Sequence, residues 1–238
     1  MPRVGVVLTA AGSGQRFGAD LPKALVLLRG RPLVAHAASR LAASGVVDEI
    51  VVTAPAGFLE HVHAAVTSAC DLPVRIVAGG VSRQASVAAG IATLTSAVEV
   101  ILVHDAARPL ASAALVRRLV AAVQSGIDAA IPSVPVVDTV KEIGPGDPPV
   151  AARTLERSQL RAVQTPQAFR AAVLRRAHEA GAARARDEVT AVSDDAGLVE
   201  ALGLPVHLVD GEAAALKITT PHDLAIADIL LSESDGAL

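Results

Sequence analysis

Aromatic side chains are almost missing from this chain of 238 residues, which has no Trp, no Tyr and only 3 Phe. Proteins that hold single-stranded nucleic acid stack its bases on aromatic platforms, and here there is almost nothing to build one from. Positive charge is not in excess either. The 21 Lys and Arg face 24 Asp and Glu, a net charge of -3, which argues against a general polyanion-binding surface. Cysteine is equally scarce. Cys70 stands alone in Ala69-Cys70-Asp71-Leu72-Pro73, so no internal disulfide and no thiol pair for a metal can form. It reads as a small packed or half-exposed side chain in a reducing compartment. No apolar run approaches the roughly 18 residues that span a bilayer. The run at residues 4–8 is too short for a signal sequence. These absences lead us to expect a soluble cytoplasmic protein.

What is present is globular: 52% hydrophobic and 19% charged residues, within the length of one α/β domain covering 1–238. Short apolar runs at 4–8, 50–53, 74–77, 100–104 and 129–131 predict strands. Between them, 32–44, 58–69, 82–94 and 112–124 predict helices, with Pro32 suited to a first turn and Ser112 to an N-cap. Strands that are apolar throughout and alternate with helices belong to a Rossmann-like, mainly parallel sheet with helices on both faces.

The alternation stops after Pro132. Residues 132–143 read as extended, Gly144-Pro145-Gly146-Asp147-Pro148-Pro149 is a dense turn cluster, and 150–155 is extended again. This predicts a projecting β-hairpin arm at about 134–158. A lone hairpin is only marginally stable in water, so a partner subunit is its economical support. Sheet is expected to resume at 162–164, followed by helices at 170–180 and 187–202 and a strand at 206–209. An extended piece at 216–219, a last helix at 221–230 and a frayed tail at 232–238 complete the reading.

The first strand runs into Leu8-Thr9-Ala10-Ala11-Gly12-Ser13-Gly14-Gln15-Arg16-Phe17-Gly18. Small residues there let backbone N–H groups approach phosphate oxygens. The dinucleotide fingerprint fails, because Phe17 stands where the third glycine belongs and Arg29 and Arg31 occupy the region of the acidic ribose partner. A P-loop fails too, since no Gly-Lys-Ser/Thr follows. Instead come Arg16 and then Leu21-Pro22-Lys23, which would set two cations around a triphosphate.

In these residues the chain resembles the sugar nucleotidyltransferases, and more closely the 2-C-methyl-D-erythritol 4-phosphate cytidylyltransferases. The resemblance extends through Gly79-Gly80-Val81-Ser82-Arg83-Gln84-Ala85-Ser86-Val87, Val103-His104-Asp105-Ala106-Ala107-Arg108-Pro109 and Asp138-Thr139-Val140-Lys141. It continues through Gln164-Thr165-Pro166-Gln167, Ser193-Asp194-Asp195-Ala196 and Leu216-Lys217-Ile218-Thr219, nearly the whole chain. The resemblance implies catalytic roles for Arg16, Lys23 and Lys217. It implies a nucleotide site of Ala10, Ala11, Gly12, Ser13, Gly14, Gly80, Ser86, Asp105 and Ala106. Acceptor contacts would come from Asp105, Arg108, Thr139, Arg157, Ser193 and Thr219, with Thr139 and Arg157 donated across a homodimer. Val81 departs from relatives that carry an acidic residue there, and Ser193 replaces a common Thr while keeping a hydroxyl.

The reaction so implied is attack by a phosphate monoester oxygen on the α-phosphorus of CTP, with release of pyrophosphate. The nucleophile is already anionic near neutral pH, its second pKa being about 6, so no dedicated general base is required. Positioning and charge neutralisation are what such chemistry needs. Mg²⁺ is expected on the triphosphate, with Asp105 its one possible protein ligand. His104 reads as packed, and His61 and His63, two apart on a helix, do not share a face for a metal. Arg153, Arg157 and Arg161, four apart, would look the same on a solvated basic face. A ribitol-5-phosphate or other sugar-phosphate nucleotidyltransferase, or a non-catalytic nucleotide-binding module, remains open at this point.

Overall fold

The valine-rich run after Pro2 forms strand β1 (Arg3–Thr9), an interior strand of the main sheet, in a computed structural model that describes residues 2–12, 21–187 and 189–235. Side chains alternate across a strand, and here both faces are apolar. Val4, Val6 and Leu8 enter one core, and Val7 enters the other. After a 3₁₀ turn at Lys23–Leu25 come the short β2 (Leu27–Leu28) and β3 (Arg31–Pro32) and helix α1 (Leu33–Ala42). Then follow β4 (Glu49–Ala54), α2 (Leu59–Thr67), β5 (Val74–Ala78), α3 (Arg83–Thr93), β6 (Val98–Asp105), α4 (Ala113–Gln124) and β7 (Ala129–Pro135). β1 pairs in parallel with β4 and β6, and β4 with β5. One core packs β1, β4 and β6 on α1, α2 and α4, through Val34, Leu41, Val62, Leu115 and Leu119. The other packs Val7, Val51, Ile101 and Val103 on α3 and later helices. Gly90 lets α3 lie close, since a Cβ there would meet Val7 Cγ1 at 2.4 Å.

The second half departs from the simple alternation. β8 (Lys141–Gly144) and β9 (Val150–Thr154) pair with each other as a separate antiparallel ribbon, as the turn cluster predicts. Val137, Ile143 and Val150 are exposed on and beside it. A 3₁₀ turn at Arg157–Gln159 leads to β10 (Arg161–Val163) and β11 (Gln167–Arg170). Both pair antiparallel with β7, and β11 also pairs with β6, so together they form one interrupted strand inserted between β6 and β7. The sequence signals the first piece only. Arg153, Arg157 and Arg161 fall on three different elements, so they form no helical face.

Helix α5 (Ala171–Ala180) buries Leu174 and Ala177. The helix expected over 187–202 is not formed. Its described part contains α6 (Ala196–Glu200) alone, because Asp187 turns the chain, its carboxylate accepting from Val189 N and its carbonyl from the N–H groups of Thr190 and Ala191. Short polar side chains that bond nearby backbone compete with helix in this way. β12 (His207–Asp210) adds in parallel to the far edge of β7. Residues 216–219 form neither strand nor helix, and α7 (Pro221–Asp235) runs past the expected end at 230. Among the described residues no helix is long and apolar enough to cross a membrane. Cys70 is half-buried beside the first core, its thiol pKa pushed up by burial.

Candidate active site

Strands β6, β1 and β5, the last set apart from β1 by β4, end at one rim of the sheet, and their loops form the wall of a cavity of about 590 Å³. Thr9, Ala10, Ala11 and Gly12 continue β1, Gly80 and Val81 follow β5, and Asp105, Ala106 and Ala107 end β6. The ladder carries past the strand ends: Ala10 N donates to Thr53 O (2.8 Å), Gly79 N to Ala54 O (2.8 Å) and Ala106 N to Thr9 O (3.0 Å). Carboxyl ends of parallel strands are where open α/β sheets bind ligands.

The turn after β5 is held by α3. Ser82 caps that helix, accepting from Ala85 N, and its carbonyl accepts from Ser86 Oγ (2.9 Å). Ser86 Oγ in turn accepts from Gly80 N (3.0 Å). The Ser86 hydroxyl therefore fixes the shape of the loop as well as lining the cavity. Gly80 is required by close packing, because a Cβ there would lie 2.5 Å from that of Ala85. Val81 is 77% exposed at the mouth.

Two lysines reach the same space from separate segments. Lys23 opens the 3₁₀ turn after Pro22. Lys217 lies on the 216–219 segment, which is tied to the loop beyond β6 by Ile218 N donating to Ala107 O (2.8 Å). Thr219 also lines the cavity, its N–H and hydroxyl both donating to Asp223 Oδ2 (2.8 and 2.7 Å). Those bonds and matching ones from Thr220 bring the Asp223 carboxyl down to about 2.

Asp105 is the only carboxylate among the described lining residues, and it is almost wholly buried. Lys217 Nζ lies 2.7 Å from its Oδ2, while Arg83 Nη2 (3.4 Å) and Thr9 Oγ1 (3.2 Å) meet its Oδ1. Burial alone would raise this carboxyl, but the charges of Arg83 and Lys217 override it and hold the group well below the usual carboxylate range. Its backbone N–H donates to Thr165 Oγ1 (3.0 Å), which also bonds His104 Nδ1 (2.9 Å). His104 is buried, which brings its pKa down to about 4 despite the neighbouring Asp105. It is packed, as the sequence implies.

The cavity thus brings together Ala10, Ala11, Gly12, Lys23, Gly80, Ser86, Asp105, Ala106, Lys217 and Thr219. Ser13, Gly14 and Arg16 lie outside the described residues. Arg108 is not on the cavity wall. Its terminal nitrogens donate to Ala215 O (2.7 Å) and Val163 O (3.2 Å), which secures the segment leading to Lys217, while its buried Nε has no partner among the described residues. Thr139 and Arg157 sit on the exposed arm, where Arg157 donates to Val137 O (2.7 Å), and Ser193 is exposed outside the wall.

Sequence reasoning gave Arg83 and Asp195 no role. Arg83 lines the cavity and bridges Asp105 to Asp195. The signal was present, since both stand inside quoted motifs, but their pairing was invisible at a separation of 112 residues.

The architecture matches solved cytidylyltransferases. The synthase of 4-diphosphocytidyl-2C-methyl-D-erythritol from Anaerococcus prevotii superposes with a TM-score of 0.81 at 28% identity, covering 97% of this chain and 99% of that one. The 2-C-methyl-D-erythritol 4-phosphate cytidylyltransferase of Thermus thermophilus gives 0.74 at 37% identity, covering 96% and 98%. The family model for 2-C-methyl-D-erythritol 4-phosphate cytidylyltransferase matches residues 4–233. The chain belongs to this family. Cytidylyltransferases of the same name from Frankia casuarinae and Nocardia farcinica are 45% and 46% identical to it. They align over 99% and 94% of this chain and 84% and 92% of their own lengths. As a member of the 2-C-methyl-D-erythritol 4-phosphate cytidylyltransferase family, the chain is a nucleotidyltransferase.

Proposed function

We propose that this enzyme transfers CMP from CTP to 2-C-methyl-D-erythritol 4-phosphate, in the cytoplasm, forming the diphosphocytidyl conjugate and pyrophosphate. One observation carries the placement of the reaction: Lys23, Lys217 and Asp105 share a cavity with the small-residue loop 10–12 and the turn at Gly80. Backbone N–H groups and two ammonium groups around one basin suit a triphosphate. Gly80, Ser86 and Ala106 then line the nucleoside end, and Asp105 meets ribose or acceptor hydroxyls.

An oxygen of the acceptor phosphate forms the new bond to the α-phosphorus as the bond to the β-phosphate oxygen breaks. Pyrophosphate leaves with that electron pair. Lys23, with Arg16, offsets charge on the departing phosphates. Lys217, released from Asp105, steadies the incoming phosphate or the α-phosphate. Preorganised cations at such positions are worth orders of magnitude in rate.

The donor set suits Mg²⁺ that arrives largely coordinated by phosphates. No group of three His, Cys, Asp or Glu gathers among the described residues, and Asp105 is the one carboxylate on the described wall. When bound there, Mg²⁺ supplies charge neutralisation across the triphosphate.

Thr219 lines the acceptor side in this reading, Arg108 acts from off the wall by securing the segment that carries Lys217, and Thr139 and Arg157 join from a partner subunit. The exposed Val137, Ile143 and Val150 of the arm give that partner an apolar surface to cover. Incubation with CTP, Mg²⁺ and either methylerythritol phosphate or ribitol 5-phosphate, followed by pyrophosphate release, tests the assignment. Faster turnover of the methylerythritol ester is expected. A clear preference for ribitol 5-phosphate would overturn the acceptor.

A further inference from the structure

Three consecutive residues at the start of α3 moor the segment that follows α5. Ser82 Oγ donates to Ala185 O (2.7 Å), Arg83 Nη1 to Asp195 Oδ2 (2.7 Å), and Gln84 Nε2 to Gly181 O (2.8 Å). Of these, Arg83 alone also faces the cavity carboxylate Asp105. Asp195 has no exposed surface, and its other oxygen meets His178 Nε2 at 2.9 Å. The Asp195 side chain does not cap α6, a task left to its neighbour Asp194, which accepts from Gly197 N (3.1 Å). A fully buried carboxylate that caps nothing is held there by its ionic partner.

The two distances from Arg83 are unequal, 2.7 Å to Asp195 against 3.4 Å to Asp105. The guanidinium is drawn back from the cavity. Asp105 Oδ1 then holds the Thr9 hydroxyl and one long contact to Arg83, and Oδ2 holds Lys217, a cation on a flexible stem.

We propose that Asp195 is a positioning residue for nucleotide binding: it restrains Arg83 so that the Asp105 carboxylate stays available to the nucleotide. His178 occupies the remaining oxygen of Asp195, so Arg83 takes the other. The inference rests on the reading of Asp105 as a nucleotide contact.

Asp195→Asn removes the charge that draws Arg83 back, and Arg83 then closes on Asp105. The expected result is a KM for CTP raised about tenfold with kcat changed less than about threefold. A merely structural role lowers the active fraction, and so kcat, while KM stays put. In the double variant Arg83→Gln/Asp195→Asn no guanidinium remains to close on Asp105, Lys217 keeps its place as in the parent, and KM for CTP returns to within about threefold of the parent. A parent-like KM in Asp195→Asn, or no recovery in the double variant, overturns the proposal. If Asp195→Asn does not fold, as judged by thermal melting, the double variant decides alone: there a tenfold rise in KM overturns it. Asp105→Asn is measured alongside. An unchanged KM for CTP in that variant sinks the reading of Asp105, whereas an impaired Asp105→Asn with a normal Asp195→Asn sinks only this inference.

Discussion

Lys217 and Asp105 form an ion pair at 2.7 Å inside the cavity, joining a segment next to the last helix to the end of a central strand. The pair holds the cation in place before any phosphate arrives. A phosphate that binds Lys217 would have to compete with Asp105 for the ammonium group.

Lys23→Ala and Lys217→Ala should each lower kcat/KM by about 100-fold or more while leaving the fold intact, since each removes one cation from the cavity proposed to hold the phosphates. Circular dichroism and steady-state pyrophosphate release check this together. Activity within twofold of the parent would remove that lysine from the mechanism.

Donation of Thr139 and Arg157 across subunits has a signature in mixtures. Lys23→Ala and Arg157→Ala homodimers should each be nearly inactive. Mixed subunits place both lesions in one site and leave the other whole, so about a quarter of parental activity should return on random exchange. No recovery after verified subunit exchange, or an active monomer, would contradict donation in trans.

Stability should fall on acidification below neutral pH, in part through His104. Its folded pKa, about 4, lies below that of an unfolded histidine, so the unfolded state binds more protons between those values. The loss therefore begins as pH drops through about 6.5 and is complete near the folded value, amounting to a few kcal/mol at most. Urea unfolding across this range should show a flatter slope for His104→Asn than for the parent. Identical slopes would exclude His104 as the titrating group.

Phe169, fully buried on the inserted strand, fills the core between β6, β7 and α5. Phe169→Ala should cost about 3–5 kcal/mol, a large share of a typical domain's stability. Denaturant midpoints measure it, and a loss below about 1 kcal/mol would mean the cavity collapses almost completely.

Much of the fold was legible because its central strands are apolar on both faces. Val4, Val6 and Val7 could sit only in a covered sheet, and Ser82 and Ser112 mark helix starts that the structure confirms, Ser112 accepting from Leu115 N. The small-residue loop, Lys23, Asp105 and Lys217 were legible through motif resemblance, and their shared cavity follows from strand ends. The inserted β10 and β11 were harder to read. Arg161–Val163 is exposed throughout and only three residues long, too short for a period to emerge. The helix expected over 187–202 shortens to α6 because the turn at Asp187 takes up the start of that stretch. Arg83–Asp195 is a tertiary pair without a local trace, so no window of sequence contains it.

The pairing of Pro135 with Arg161 gives the arm a property of its own. Where β7 departs toward the ribbon, β10 returns directly opposite. A turn of about two residues suffices to join antiparallel neighbours at such a point. As far as the sheet is concerned, the whole ribbon is a detachable loop. Its removal would leave Thr165 and the Asp105 amide it supports in their places, so the ribbon could be cut away without disturbing the cavity wall.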